Sequence, residues 1–379
     1  MINLAKRFNN NKRQYLFVNK KLAKHIPTDP DDLIGVSNQL AYAIQTRFQG
    51  NKLLIGFAET ATALGLFTYS GLRKVDDADL YYIQTTREDS FSDVLFFEEE
   101  HSHATDQKLK RGYIESVVGK VDTVIFIDDE ISTGKTIKNA VDIIKKEFPA
   151  LSDVLFVGAS LISSMTEDRE RILLEEGIEF CSLEKIPAKD YAEEVAPWSI
   201  EEAMYPEHRS EKKYLSLMTV CNCKRPSIGL SANTNMTEEP GLEDLITKME
   251  NEHQFVPGRK NLILGTEECM YPAIRMAKLL KERYPTKTFL THSTTRSPIG
   301  IMPRYNGRHD NYPIYNGAKL RSLYDPARIT YLYDLDCYDN VIVMSDCEFG
   351  ECGMQTILDA FSSYENNTNF TYVEVFWKE

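Results

Sequence analysis

The sequence lacks an apolar run long enough to cross a membrane. Its longest mostly apolar stretch, from Val154 to Ile162, is about half of the ~18 residues that a spanning helix needs. The first 30 residues also lack the apolar core of a signal peptide. These absences exclude a membrane-spanning protein and predict a soluble, cytoplasmic one.

Basic residues are too few for a nucleic-acid-binding protein. The chain has 44 Lys and Arg against 57 Asp and Glu, a formal net charge of −13, whereas binding to polyphosphates depends on a basic surface. We interpret the basic stretch 1–28 either as a solvated arm or as a segment near a bound phosphate or an acidic partner surface. It contains no acid and seven basic residues, Lys6, Arg7, Lys12, Arg13, Lys20, Lys21 and Lys24.

Cysteine pairs with unambiguous zinc-site spacing are also lacking. The seven cysteines are odd in number and scattered, which predicts reduced thiols in a cytoplasmic protein. Cys221 and Cys223 are one residue too close for the usual C-x₂₋₄-C pair, and Cys347 and Cys352 stand at its loose limit. The spacing favours free thiols over a zinc site.

The 379 residues, enough for two or three domains, show strand–helix alternation from Lys52 onward. Near-continuous apolar strands separated by helices predict a parallel sheet covered on both faces. We predict a loop over 87–120 and a helix whose buried face carries Ile137, Ala140, Val141 and Ile144. The predicted strands are Lys52–Ile55, Tyr81–Thr85, Val121–Ile127, Val154–Ile162 and Ile178–Leu183.

The alternation stops near residue 205 and resumes at Asn261, after a stretch rich in Pro, Ser, Thr and Asn. We therefore predict a first domain over 1–212 that includes the basic segment, a linker over 213–240 and a second domain over 241–379.

The second domain repeats the first. KLLIGFAE at 52–59 matches NLILGTEE at 261–268, and Thr-Thr-Arg follows 29 residues after the glycine in both, at Thr85 and at Thr294. A third pair, VDTVIFIDDE at Val121 and YDNVIVMSDCE at Tyr338, follows in the same order. Three blocks in one order predict a tandem duplication of one α/β unit.

The most informative stretch is VIFIDDEISTGKT over 124–136. A buried strand leads into Asp128 and Asp129, and a loop of small hydroxyls and glycine then opens a helix whose N–H groups suit a phosphate. The carboxylates suit either the diol of an attached sugar or a metal that bridges that sugar, and a ribose 5-phosphate fits this geometry. A Walker A loop needs glycine where Asp129 stands, and a Walker B strand has no Walker A upstream. An ordinary strand–turn–helix with capping residues is the remaining alternative.

This stretch resembles the 5-phosphoribosyl-1-pyrophosphate motif of type I phosphoribosyltransferases. NKRQYLFVNKKLAKHIP, GFAETATALG, TTRE, EEEHSHA and THSTTRSPI further resemble two-domain proteins encoded near tellurite-resistance operons. In these proteins an orotate phosphoribosyltransferase-like domain precedes a domain named for its Thr-Arg-Ser-Pro motif. The resemblance implies an α/β fold of two tandem phosphoribosyltransferase-like parallel-sheet units, the second degenerate. It also implies a Mg²⁺-dependent pentosyl transferase that makes or breaks down a nucleotide-like metabolite.

The resemblance also assigns roles to residues. Asp128 and Asp129 would hold the ribose hydroxyls and, through Mg²⁺-bound substrate, the metal, while Arg87 would neutralise pyrophosphate. Glu59 departs from the family pattern, and it would either cap the helix or order a magnesium ion. The phosphate cradle would be Ser132, Thr133, Gly134, Lys135 and Thr136, and the pyrophosphate turn would be Phe57, Ala58, Glu59 and Thr60.

His101 and His103 lie in the predicted loop and are counted among the catalytic candidates, as an acid or base of a lid. A metal-binding HxH pair and a merely solvated loop are the alternatives.

The second copy has lost part of this motif. Ser345 aligns with Asp128 and Asp346 with Asp129, and EFGECGMQT replaces the cradle, so we expect no phosphoribosyl pyrophosphate site there. Another anion could bind through Arg296, or Arg296 could pair with Glu268 instead. The candidate ligand residues of this domain are Glu268, Thr295, Arg296 and Ser297.

Two other functions remain open at this point. One is a non-catalytic sensor of a nucleotide or of phosphoribosyl pyrophosphate, and the other is a ribose-phosphate pyrophosphokinase, which is also built from two such units. The expected partners are phosphoribosyl pyrophosphate and an unidentified acceptor, without nucleic acid or membrane, and a homodimer is compatible with the sequence.

Overall fold

The computed structural model describes residues 2–10, 13–89, 92–98, 106–234, 240–303, 311–347, 351–364 and 368–378. The strands are β1 (Ile2–Lys6), β2 (Tyr15–Asn19), β3 (Lys52–Gly56), β4 (Leu80–Gln84), β5 (Val94–Glu98), β6 (Asp106–Lys110), β7 (Thr123–Ile131), β8 (Leu155–Ser163), β9 (Ile178–Lys185), β10 (Tyr214–Lys224), β11 (Lys260–Gly265), β12 (Thr288–Ser293), β13 (Gly317–Arg321), β14 (Ile329–Tyr333), β15 (Asn340–Ser345) and β16 (Asn369–Lys378). The helices are α1 (Pro30–Arg47), α2 (Ala61–Leu72), α3 (Arg111–Val117), α4 (Lys135–Glu147), α5 (Glu167–Glu175), α6 (Ala192–Val195), α7 (Pro240–Asn251), α8 (Tyr271–Arg283) and α9 (Glu351–Phe361). No helix in these ranges combines the length and apolarity that crossing a membrane requires.

The chain forms two compact units, and each is built from separate stretches of sequence. The first unit comprises mainly 34–189 and 223–238, and the second comprises 1–33, 190–222 and 239–377. The basic amino-terminal segment thus packs within the second unit, whereas the sequence predicted it in a first domain over 1–212.

The first unit contains the predicted parallel sheet. Its strand order is β4-β3-β7-β8-β9, and every neighbouring pair is parallel. The buried face predicted for the helix is confirmed, since Ile137, Ala140, Val141 and Ile144 of α4 all lie in the core. The central strand β7 therefore carries its carboxyl end, with the acid pair, to the edge where ligands of parallel sheets bind.

The second unit repeats this arrangement. Its sheet has the order β12-β11-β15-β16-β10, with β11 and β15 at the places that β3 and β7 hold in the first unit. The pairs β11–β12, β11–β15 and β15–β16 are parallel. The two sheets differ in where their last edge strand comes from in the sequence. In the first unit this strand is β9, which follows β8 in the chain, whereas in the second it is β10, which precedes the repeated strands.

Matching hydrogen bonds fix the register of the duplication. The N–H of Phe57 donates to Ile127 O over 3.0 Å, and the N–H of Thr266 donates to Met344 O over 3.1 Å. The amides of Thr85 and Thr294 likewise donate to the glycines that end β3 and β11. The tandem duplication predicted from sequence is confirmed, and Ser345 and Asp346 correspond to Asp128 and Asp129.

The loop predicted over 87–120 was wrong, because the described part of this stretch contains the antiparallel hairpin β5–β6 and helix α3. The alternation of strand side chains explains the hairpin, since Leu95 and Phe97 are buried while Phe96 between them is exposed. The second unit has the equivalent hairpin, β13–β14. Each hairpin is tied to its sheet by a two-way backbone bridge, Thr86 with Lys108 and Thr295 with Tyr331.

The predicted linker over 213–240 supplies structure to both units. Its first part is β10, an edge strand of the second sheet. Its later part pairs with β4 of the first unit, where Leu230 N donates to Tyr82 O over 2.8 Å. The hydroxyl of Tyr69 also donates to Thr234 O.

Several basic residues of the amino-terminal segment make contacts inside the second unit. Lys6 Nζ donates to the carbonyls of Ala196 and Trp198, and the Arg13 guanidinium lies 4.5 Å from the centre of the Tyr15 ring. Lys24 is fully buried. Tyr15 begins β2.

A buried histidine gives the second unit a predicted pH dependence. Burial lowers the pKa of His292 from 6.5 to about 4, and its Nε2 lies 2.8 Å from Tyr333 O, so the ring is neutral in the folded state. The unfolded chain takes up this proton near pH 6.5, so the stabilising contribution is complete above pH 6.5 and falls as pH drops toward 4. The expected loss reaches about 3 kcal/mol at pH 4.

The variant His292→Gln tests this expectation, because its amide nitrogen can still donate to Tyr333. Urea midpoints of the wild type should fall between pH 7 and pH 5, and those of the variant should fall clearly less. Equal slopes in the two proteins would assign the acid sensitivity to other groups.

Candidate active site

The acid pair lies within the central strand of the first unit. The sequence predicted a strand ending at Ile127, but β7 continues to Ile131, with Asp128 paired to Ser160 of β8. Both aspartates are half-buried, and the N–H of Asp129 donates to Asp128 Oδ1 over 2.9 Å. Asp128 thus also orders the backbone, which leaves Asp129 as the better test of ligand binding.

The loop after β7 turns sharply at Gly134, where φ is +68°. The left-handed conformation favours glycine, and a Cβ at this position would lie 2.7 Å from Leu173 Cδ1, so that side chain would have to shift. The N–H of Lys135 donates to Thr133 Oγ1 over 3.3 Å, and Arg169 Nε donates to Thr133 O over 3.0 Å. These two hydrogen bonds hold the loop from Ser132 to Thr136 at the amino terminus of α4, where Lys135 is exposed.

The turn after β3 is fixed by a closed set of hydrogen bonds. The N–H of Ala58 donates to Thr85 Oγ1 over 2.7 Å, the Thr85 hydroxyl donates to Gln107 Oε1 over 2.5 Å, and Gln107 Nε2 donates to Ala58 O over 2.6 Å. The peptide between Ala58 and Glu59 is cis. This network connects the turn both to the end of β4 and to the hairpin strand β6.

Not every amide of this turn is available to a ligand. The N–H of Phe57 donates to Ile127 O and that of Ala58 to Thr85, so the predicted ligand-facing amides come from the later part of the turn, at Glu59 and Thr60. The Phe57 side chain lies in the core, with its ring centre 5.6 Å from that of Phe126.

The side chain of Glu59 faces Arg87. The two are nearly buried, with 6% and 7% of their side chains exposed, and Arg87 Nη1 lies 3.7 Å from Glu59 Oε2. Glu59 therefore holds the guanidinium that the resemblance assigns to pyrophosphate, which differs from both roles considered from the sequence.

His101 and His103 lie in the connection between β5 and β6, outside the described residues. Among the described residues, no three His, Cys, Asp or Glu side chains form a group that could hold a metal ion by themselves. The cysteines with described side chains are free thiols.

In the second unit the two residues that correspond to the acid pair, Ser345 and Asp346, form hydrogen bonds with other side chains of the unit. Thr266 Oγ1 donates to the hydroxyl of Ser345 over 2.8 Å. Asp346 accepts from the Tyr324 hydroxyl over 2.5 Å and from the Trp377 indole N–H over 2.8 Å. Burial and the Asp346 carboxylate raise the pKa of Tyr324, so this hydroxyl keeps its proton.

Arg296 also has a partner within the second unit. Its Nε lies 2.7 Å from Glu267 Oε2, so Glu267 pairs with it, the residue before the Glu268 considered from the sequence. Thr295 is buried, and its Oγ1 accepts from Ser297 N over 3.2 Å. Glu268 is half-buried on the turn beside Glu267.

Three supporting residues of the first unit were missed from the sequence. Thr85 was noted only as part of the repeated Thr-Thr-Arg, and that repetition was the available signal for its role. Gln107 and Arg169 gave no signal, because their partners in the turn and the loop are distant in sequence.

Comparison with known families agrees with this geometry. A phosphoribosyl transferase family model matches residues 1–182. The model of the TRSP domain, described as C-terminal to that transferase domain, matches residues 227–361. The two matched regions include, respectively, the strand–loop–helix at 124–136 and the Thr-Arg-Ser-Pro motif.

Solved structures with a similar fold include adenine phosphoribosyltransferases. The enzyme from Giardia lamblia, complexed with 9-deazaadenine, is 12% identical at a TM-score of 0.35, covering 49% of this chain and 94% of its own. The enzyme from Trypanosoma brucei, in complex with AMP, pyrophosphate and ribose-5-phosphate, is 14% identical at a TM-score of 0.34, covering 48% and 76%. No curated protein matches the chain.

Proposed function

This chain belongs to the proteins that join a phosphoribosyl transferase domain to a TRSP domain, and we propose that its first unit transfers a phosphoribosyl group from phosphoribosyl pyrophosphate to a nitrogenous acceptor, releasing pyrophosphate. The observation that carries the proposal is the acid pair of β7 followed by the Gly134 loop, inside the matched transferase region. In the reaction, the bond between C1 of the ribose and the pyrophosphate oxygen breaks as the bond to the acceptor nitrogen forms. The same site would run the reverse reaction on a nucleotide and pyrophosphate.

The acid pair and the loop would bind different parts of the substrate, the ribose and the 5-phosphate. The loop at the amino terminus of α4 supplies N–H groups and the hydroxyls of Ser132, Thr133 and Thr136 to the 5-phosphate. Carboxylates repel a phosphate but accept hydrogen bonds from the ribose hydroxyls, which suits Asp128 and Asp129. Their negative charge also favours the positive charge that develops at C1 as pyrophosphate leaves.

The turn after β3 and Arg87 would bind the leaving group. The network of Thr85 and Gln107 holds the turn in one conformation, so its later amides need no rearrangement when pyrophosphate binds. Glu59 lies beside Arg87, whose guanidinium would bind pyrophosphate oxygens.

The donor chemistry of this site suits Mg²⁺. Mg²⁺ prefers oxygen ligands, keeps several waters and is commonly held by one or two carboxylates together with substrate phosphates. Asp128 and Asp129 would supply such carboxylates. Bound there, Mg²⁺ would neutralise part of the pyrophosphate charge.

The direct test is an assay of the full chain with phosphoribosyl pyrophosphate, MgCl₂ and individual nitrogenous bases. Pyrophosphate release that needs both an acceptor and Mg²⁺, with a product of the mass expected for the phosphoribosylated base, would support the proposal. Omission of the acceptor and addition of EDTA are the controls. Saturable binding of phosphoribosyl pyrophosphate without turnover for any acceptor would favour a sensor instead.

Lys135 offers a prediction within this site. Its side chain is exposed at the first position of α4, so its charge should attract the 5-phosphate equally in the ground state and the transition state. Lys135→Ala should raise the KM for the sugar substrate several-fold with kcat nearly unchanged, the pattern of lost uniform binding. Steady-state kinetics would show this, with Lys145→Ala, a basic residue in the last turn of the same helix, as the control. A large loss of kcat would instead place Lys135 in the chemical step.

A further inference from the structure

The second unit contains a buried carboxylate surrounded by cationic and hydroxyl donors. Glu267, on the turn after β11, is 1% exposed. Its Oε2 accepts from Arg296 Nε at 2.7 Å and from Arg328 Nη1 at 3.1 Å, and its Oε1 accepts from the Ser322 hydroxyl. The buried Lys24 ammonium donates to its backbone carbonyl over 2.8 Å. Three cations thus converge on one acidic residue.

Glu267 stands on the counterpart of the turn that binds pyrophosphate in the proposed function. The N–H of Ala58 donates to Thr85 Oγ1, and the N–H of Glu267 donates to Thr294 Oγ1 over 2.9 Å. Arg296 follows Thr294 by two residues, as Arg87 follows Thr85. The first unit has alanine where the second has Glu267, so the carboxylate is an addition specific to the second unit.

The same carboxylate also fastens the hairpin of the second unit. Ser322 and Arg328 are the first and last residues of the connection between β13 and β14, and both bind Glu267. Tyr324, within that connection, binds Asp346 after β15 and the carbonyl of Thr266. The connection is therefore attached to the carboxyl ends of both central strands.

We propose that the Glu267 carboxylate is a resident anion that fills the anion site of the second unit, so that this unit excludes pyrophosphate and phosphorylated ligands as long as Glu267 is present. Removal of the carboxylate would vacate the space that it fills beside Arg296, Arg328 and Ser322 and would take one negative charge out of that space. Oxyanions bind to such a set of charge-assisted donors. The latent ligand is accordingly inorganic pyrophosphate or phosphate. The identification of this place with a pyrophosphate site rests on the proposed function of the first unit.

The test is calorimetric titration of the full chain with inorganic pyrophosphate. Glu267→Ala should bind pyrophosphate at one more site per chain than the wild type, and Glu267→Ala/Arg296→Ala should return to the wild-type number. Glu268→Ala, which makes the same change of charge on the next residue, is the control and should add no site. An unchanged stoichiometry in folded Glu267→Ala would overturn the proposal.

The count of sites separates this inference from the proposed function. If the wild type binds no pyrophosphate and Glu267→Ala binds one, the first unit's pyrophosphate site is refuted while the resident anion stands. If Glu267→Ala does not fold, Glu267→Ser leaves comparable room with a hydroxyl. Recovery of either variant in pyrophosphate but not in chloride of equal ionic strength supports the proposal, and failure of both variants in both salts contradicts it.

Discussion

Asp129→Asn is expected to lower the rate of pyrophosphate release by about a hundredfold or more, with a melting temperature within a few degrees of the wild type. The substitution keeps the size of the side chain and removes only its charge. A charge that stabilises a transition state is worth about 10²–10³ in rate. The residue is half-buried at the carboxyl end of β7, so the fold depends on it less than turnover does.

The second unit supplies a matched control with the opposite expected result. Asp346, the counterpart of Asp129, accepts hydrogen bonds from Tyr324 and Trp377. Asp346→Asn loses one acceptor and the charge, and hydrogen bonds to charged groups contribute about 1.5–3 kcal/mol each. This variant should therefore unfold at a lower temperature and keep its turnover. Full turnover in Asp129→Asn, or the same loss of stability in both variants, would remove Asp129 from the proposed site.

The order of elements in the first unit and the duplication could be predicted because both are local properties of the sequence. Buried parallel strands are continuous apolar runs, and a repeated block such as Gly56 to Thr85 keeps its spacing. The hairpin β5–β6 escaped prediction because its sequence shows no apolar–polar alternation: β5 has a run of four apolar residues, β6 has only Leu109, and both stand beside a strongly charged stretch. The packing of 1–33 within the second unit depends on contacts between residues far apart in sequence, such as Lys24 with Glu267.

The candidate site likewise has one part that could be predicted from the sequence and one part that could not. Asp128, Asp129 and the Gly134 loop could be located from the sequence, because one continuous stretch contains the strand, the acids and the turn. The sequence suggested Glu268 as the partner of Arg296, whereas the structure shows Glu267. Aligning the two repeats gives the register of the backbone but not the direction in which a side chain points. In the first unit the acid that reaches Arg87 is Glu59, and in the second the acid that reaches Arg296 comes one position earlier in the turn.

Gly134→Ala is expected to cost about 2–4 kcal/mol of stability and to raise the KM for the sugar substrate strongly. The left-handed conformation at φ +68° costs a residue with a side chain about 1–2 kcal/mol. The new methyl group would also lie 2.7 Å from Leu173 Cδ1 and 3.3 Å from Phe180 Cζ, and overpacking of this kind costs about 1–3 kcal/mol. Whatever part of the contact the Leu173 side chain does not relieve by shifting would displace the loop from α5, and with it the N–H groups that would bind the 5-phosphate.

Gly177→Ala separates the two contributions. Gly177 has a similar φ of +80°, but the nearest atom to an added Cβ is Lys145 Nζ at 4.0 Å, so only the conformational cost applies. Chemical unfolding should show a loss of about 1–2 kcal/mol for Gly177→Ala with unchanged kinetics, and a larger loss with a raised KM for Gly134→Ala. If the two variants lose equal stability and Gly134→Ala keeps the wild-type KM, the loop after β7 does not bind the phosphate. The 5-phosphate would then have to be bound by another part of the first unit.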